Sequence, residues 1–286
     1  MKKFKILLIL LVVFGLTGCF KRDELEDATI YATAYPIEYI INRLYGENSK
    51  ISSIYPDGII IDDYDFTDKQ IKDFSKGSIV IYNGLTKEKD YVTTMLSENK
   101  DLKIIDASKS IEYNNSVEEV WLNPSHFLMM AQNIKTGLHE YIENHYLLEQ
   151  IDSKYDEMYI EVSNLDAKIS LLVESANNKT IIVTDDLFKF LEKYGITVIS
   201  LDPDTVNEKV INQVNKLIND DIVKYIFARQ HEELSDTVNK IVTDKKIEVL
   251  TINTLSSISS DDRTSKKDYI SLMNDNIELF KKELIH

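Results

Sequence analysis

The chain has 286 residues, 43% of them hydrophobic, and a formal net charge of −15. That charge repels phosphate backbones and anionic headgroups, which excludes nucleic-acid binding and electrostatic docking on a membrane. The single cysteine excludes an internal disulfide and a thiolate metal cage, while the length leaves room for two ordinary domains.

The N-terminus reads Met1-Lys2-Lys3-Phe4-Lys5, a positive stretch, followed by a wholly apolar run from Ile6 to Phe14. The run is short of the roughly 20 apolar residues that a spanning helix needs. It predicts a signal peptide over 1–18. Leu16-Thr17-Gly18-Cys19 has the small-small-Cys pattern of a lipobox, which predicts cleavage before Cys19 and lipidation of its thiol. Removing that leader takes three lysines and no acid, leaving 30 basic against 48 acidic residues. Phe20 to Asp27 is charged and lacks apolar periodicity, so 19–27 reads as a lipid-anchored tether.

Beyond the tether, strands and helices alternate. Thr29–Ala34, Ile51–Tyr55, Ser78–Tyr82 and Leu102–Ile105 read as strands; Ile37–Leu44, Thr67–Phe74 and Lys89–Ser97 read as helices, with Thr67 as an N-cap. From Pro124 to about Ser175 the strand signal disappears, and apolar residues at helical spacing predict one helix followed by a very long one, roughly Leu147 to Glu174. The alternation then resumes. Strands are expected at Thr180–Val183, Thr197–Leu201, Val223–Phe227 and Ile247–Ile252. Helices are expected at Leu187–Lys193, Asn207–Asn219, Leu234–Thr243 and Asp268–Leu284. His231-Glu232-Glu233 reads as the acidic start of a helix. The pattern predicts an α/β fold: two parallel-sheet lobes joined by one long linker helix, with a ligand cleft between the lobes. The expected division is 28–145 for the N-terminal lobe, 146–176 for the linker helix and 177–286 for the C-terminal lobe.

An ordered series of short motifs carries a resemblance. Tyr35-Pro36 follows the first strand, and Pro56-Asp57-Gly58 opens a loop that runs to Phe66-Thr67. Asn83-Gly84 follows the third strand, Val120-Trp121-Leu122-Asn123-Pro124 opens the middle helix, and Phe188 and Phe190 precede Tyr194-Gly195. Tyr269 with Leu272-Met273 and Asn276 marks the last helix. Together, from about Ile30 to the C-terminus, these resemble the substrate-binding lipoproteins of zinc and manganese ABC importers. The resemblance implies a divalent metal cation (Mn²⁺ or Zn²⁺) as transported ligand, held between the lobes on four side chains, typically histidines with an Asp or Glu. It also implies an ABC permease as partner, a lipid anchor in the membrane, a monomer, and no enzymatic activity.

Carried over position by position, the four ligands fall on Asp62 in the loop after Pro56 and Glu119, two residues before Trp121. The third falls on Asp185, ahead of Tyr194-Gly195, and the fourth on Ser257, twelve residues before Tyr269. None is a histidine; His126, His139, His145, His231 and His286 all fall elsewhere. Two readings follow. Three carboxylates, with Ser257, Asn253 or a water, would form an oxygen site suited to a hard cation such as Mn²⁺, Mg²⁺ or Ca²⁺ rather than to Zn²⁺. Alternatively the site is degenerate, and the chain is a surface lipoprotein of the same fold acting in adhesion or as an interaction module. No glycine-rich phosphate loop and no Gly-x-Ser-x-Gly elbow is present.

Overall fold

The computed structural model describes residues 23–113 and 117–285. The expected leader, Cys19 and His286 lie outside the described residues. Four parallel strands, β1 (Thr29–Ala32), β2 (Lys50–Ser53), β3 (Ile79–Tyr82) and β4 (Lys103–Asp106), form one sheet in the order β2-β1-β3-β4. A second parallel sheet repeats the pattern with β5 (Thr180–Val183), β6 (Thr197–Ser200), β7 (Tyr225–Arg229) and β8 (Glu248–Ile252), ordered β6-β5-β7-β8. All four residues of β3 are buried, as expected for a strand covered on both faces.

The helices of the first lobe are α1 (Tyr35–Tyr45), α2 (Asp68–Phe74) and α3 (Glu88–Glu98). Pro36 sits in the first turn of α1, where its missing N–H costs no hydrogen bond. Thr67 caps α2 in a reciprocal capping box with Gln70. Then come α4 (Glu119–Leu122), α5 (Pro124–Tyr141) and α6 (His145–Glu174). The 30 residues of α6 span about 45 Å. The second lobe adds α7 (Glu208–Asn219), α8 (Asp236–Lys245), α9 (Ser260–Thr264) and α10 (Tyr269–Leu284). Helix α6 packs against α1 and α5 on one side and α10 on the other, so it lies between the lobes.

One buried cluster runs through both lobes and the long helix. It takes in Ile37, Trp121 and Phe127 of the first lobe, Leu165 of α6, and Phe227 and Tyr269 of the second. The Phe127 and Tyr269 rings stack 3.8 Å apart across the joint. A continuous apolar joint of this kind resists relative lobe motion. Two smaller clusters, around Val80 and around Ile226, sit apart from it, one in each lobe.

Three expectations are corrected. The described part of the supposed tether, from Asp23, is docked on the fold: Leu25 is fully buried, and the Asp23 carboxylate accepts the backbone N–H groups of Glu143 and Asn144 at 2.8 and 3.2 Å. One apolar residue in a charged run gives no periodicity, yet it suffices to anchor a turn. The helix expected over Leu187–Lys193 is a 3₁₀ turn, Lys189–Tyr194, closed by Gly195 at φ 88°, a conformation that favours glycine. His231-Glu232-Glu233 lies outside any helix, because Ser235 is the N-cap of α8 and its side chain accepts the Val238 N–H.

Candidate functional site

In an open parallel sheet, ligands bind beyond the carboxyl ends of the strands where the winding reverses. In this chain those points lie between β1 and β3 and between β5 and β7. A chamber of about 400 Å³ opens between the lobes; its walls include Ile60, Thr86, Glu118, Trp121, Arg229 and Ser257. Both lobes therefore contribute side chains to one cavity.

Arg229, the last residue of β7, reaches into this space. Its Nη1 donates to the Glu118 carboxylate of the first lobe at 2.8 Å, and its Nε donates to the Asp185 carboxylate of its own lobe. The Asp185 carboxylate also accepts the Leu187 N–H at 2.6 Å, which orients it. The Glu232 carboxylate accepts the Arg229 backbone N–H at 3.0 Å and the Thr184 hydroxyl at 2.7 Å, pinning the end of β7 to the end of β5. The side chains of Arg229, Glu118 and Asp185 are 26%, 14% and 15% exposed. Burial works against the charged guanidinium, but the Glu118 and Asp185 carboxylates outweigh it, and the Arg229 pKa rises.

A second arginine joins the lobes at the edge of the cleft. Arg263, on α9, donates in bidentate fashion to Asp57 (2.8 and 2.8 Å) and to Glu38 (2.8 and 3.0 Å), both on the first lobe. These hydrogen bonds, those to Asp57 foremost, hold its pKa above the ordinary arginine value. The Lys193 ammonium adds bonds to Asn123 (2.8 Å) and Ser125 (3.2 Å) of the first lobe, and neutral donors supply further contacts. The Trp121 indole N–H donates to the Thr254 carbonyl at 2.7 Å, the Tyr269 hydroxyl to the Trp121 carbonyl at 2.6 Å, and the Tyr35 N–H to the Ser256 carbonyl at 3.0 Å.

The expected site residues are distributed as follows. Asp62 lies in a 3₁₀ turn, Ile61–Asp63, next to Ile61 of the chamber wall, and Glu119 opens α4 beside Glu118. The side chains of Asp62 and Glu119 lie outside what the structure describes. Asp185 follows β5 and is engaged by Arg229. Ser257 lines the chamber, and its hydroxyl accepts the Gly58 N–H at 2.9 Å, tying the first lobe's loop to the second lobe. Asn253 also lines the chamber; its side-chain oxygen accepts the Leu255 N–H at 2.8 Å. Among the described residues, no three or more His, Cys, Asp or Glu side chains converge as a metal cage. His139 sits 3.2 Å from Asp152 on α6, His145 is 3.4 Å from Glu149, and His231 lines the chamber.

Arg229, Glu118 and Arg263 escaped the sequence reading, and Glu232 was read only as part of a helix start. The available signal was an arginine closing an otherwise apolar strand, Tyr-Ile-Phe-Ala-Arg, in a chain with only four arginines.

Among the described residues, no helix is long and apolar enough to cross a membrane. The zinc-binding lipoprotein AdcA of Streptococcus pneumoniae (strain ATCC BAA-255 / R6) is 20% identical over 311 aligned residues, covering 98% of this chain and 61% of that protein. The chain thus spans about three fifths of the length of that relative. The manganese ABC transporter substrate-binding lipoprotein scaA of Streptococcus gordonii is 27% identical over 161 residues, 49% of this chain and 52% of that one. Among solved structures, the Zn(II)-bound ZnuA-like domain of S. pneumoniae AdcA superposes with a TM-score of 0.73 at 17% identity, covering 91% of this chain and 100% of that one. The metal-dependent lipoprotein YcdH from Bacillus subtilis gives 0.73 at 18%, with coverage of 91% and 100%. At these identities the superpositions establish the two-lobed fold. The profile of the ZnuA family, zinc-uptake complex component A periplasmic, matches residues 30–283, and the chain belongs to that family of transport components, which are not enzymes.

Proposed function

We propose that this protein is the extracytoplasmic substrate-binding lipoprotein of an ABC importer, capturing a divalent metal cation (Mn²⁺ or Zn²⁺) between its lobes and delivering it to a membrane permease. The observation that carries the reading is that carboxylates of opposite lobes, Glu118 and Asp185, meet on one guanidinium in the cleft. Asp62, Glu119, Asp185 and Ser257 are the proposed contacts, with oxygen donors throughout. The proposed organisation keeps a leader over 1–18, lipid on Cys19 in the cell membrane, lobes over 28–145 and 177–286, and α6 as the linker. The chain is proposed to act as a monomer.

A second reading draws support from Arg229. A guanidinium already bridging the two lobes would let the fold stand closed without cargo, as in a surface lipoprotein that has become an interaction module. A thermal-shift titration of the full-length chain in detergent separates the two. After stripping with chelator, Mn²⁺ or Zn²⁺ should raise Tm saturably in the wild type and not in Asp185→Ala. No rise at millimolar metal sinks the capture reading and leaves the second.

A further inference from the structure

We propose that Arg229 is the specificity-determining residue of the cleft: a built-in monovalent cation that a cargo ion must displace, so that divalent ions can enter and monovalent ones cannot. The inference rests on the metal-capture reading above.

The geometry supports it in three ways. First, the guanidinium lies between carboxylates of opposite lobes, Glu118 and Asp185, which is where a bridging ion would draw its charge. Second, the side chain is presented by the end of a central strand whose backbone N–H is fixed by Glu232, so the guanidinium is held in place rather than swept through solvent. Third, several carboxylates act on the one guanidinium. One guanidinium faces Glu118 and Asp185 directly, with Glu232 adding to the same field. A cation of higher valence gains more from that field. Sodium or potassium brings no more charge than the guanidinium and lacks its five directed donors, so it cannot compete for these carboxylates. A divalent ion can, provided Arg229 swings away. Arg229 therefore sets a threshold on metal affinity and bridges the two lobes across the cleft.

The test titrates Zn²⁺ and Mn²⁺ alone into full-length wild type, Arg229→Gln and Arg229→Lys, by competition with a fluorescent chelator. Arg229→Gln removes the competing charge from Glu118 and Asp185, so it should bind metal at least about tenfold more tightly. Arg229→Lys keeps the charge and should stay within about threefold of wild type. Equal or weaker binding by Arg229→Gln, with metal still bound by wild type, overturns this inference alone. Binding by neither protein overturns it together with the metal-capture reading. Should Arg229→Gln fail to fold, arginine Nε NMR on the wild type decides, since the chain has only four arginines to assign. Saturating Zn²⁺ should move one buried arginine signal toward that of solvated arginine. An unmoved signal at saturation overturns the inference.

Discussion

Arg229 and Arg263 both carry positive charge across the same joint, but they are held differently. Arg263 finds both its carboxylates, Glu38 and Asp57, on the opposite lobe and makes four hydrogen bonds to them. Arg229 divides its donors between Glu118 across the cleft and Asp185 on its own side. The first arrangement is a clamp: its only effect is to hold one lobe to the other. The second places a cation in the middle of a shared negative field, where it both joins the lobes and occupies space that cargo would use. Beneath both lies an apolar joint that no ion pair supplies. The difference teaches that Arg263 only joins the lobes, whereas Arg229 joins them from the place that cargo would take, and each can be removed on its own.

The largest effect should come from the apolar joint. Phe127 is fully buried and stacks on Tyr269 of the other lobe at 3.8 Å, with the ring planes 17° apart. Phe127→Ala should cost about 3–5 kcal/mol, through lost burial and the cavity left between lobes. Urea unfolding would show it; a cost below about 1 kcal/mol would mean that the arginines, not the aromatic core, hold the lobes together.

Alkaline pH attacks the same joint without a mutation. Burial pushes the Tyr39 phenol up to about 12 from its ordinary 10.0, against the lowering influence of Arg43. The folded state therefore keeps its proton longer than the unfolded chain does. That stabilisation is whole below pH 10 and is lost as pH climbs from about 10 to about 12, a fall of about 2–3 kcal/mol from this residue. Both arginines stay charged over that window. Arg229→Gln should therefore lose stability with pH as steeply as wild type in denaturant melts. A flat profile in the variant would place the alkaline transition in the cleft instead.

How much of this was legible depends on the range over which each signal acts. Strand and helix alternation is local, and Thr67 and Asp268 announce their helices by capping chemistry that acts within three residues. The parallel pairing within both sheets follows from that alternation. Errors came where one residue outweighs a pattern: Leu25 docking a charged run, Ser235 starting a helix after, not at, His231, and Gly195 ending a turn too short for an α-helix. The loops that carry Asp185 and Ser257 were found through family motifs. Arg229 was not, because its partners lie 44 and 111 residues away in sequence. Nothing local marks a strand-end arginine as the centre of a cleft rather than as a solvated end.

The smallest effect sharpens the comparison most. Arg263→Ala removes the clamp and strands the largely buried Glu38 carboxylate, whose side chain is 10% exposed. Arg263 itself is 42% exposed, so solvent screens much of the loss, and the expected cost is about 1–2 kcal/mol in urea unfolding. If the two arginines are separable, this variant should bind Zn²⁺ or Mn²⁺ within about twofold of wild type, since the carboxylates it frees, Glu38 and Asp57, belong to the clamp and not to the Glu118–Asp185 bridge. An affinity change as large as that of Arg229→Gln would show that metal capture responds to lobe closure in general. Arg229 would then be one clamp among two, and the guanidinium's place between Glu118 and Asp185 would say nothing about cargo.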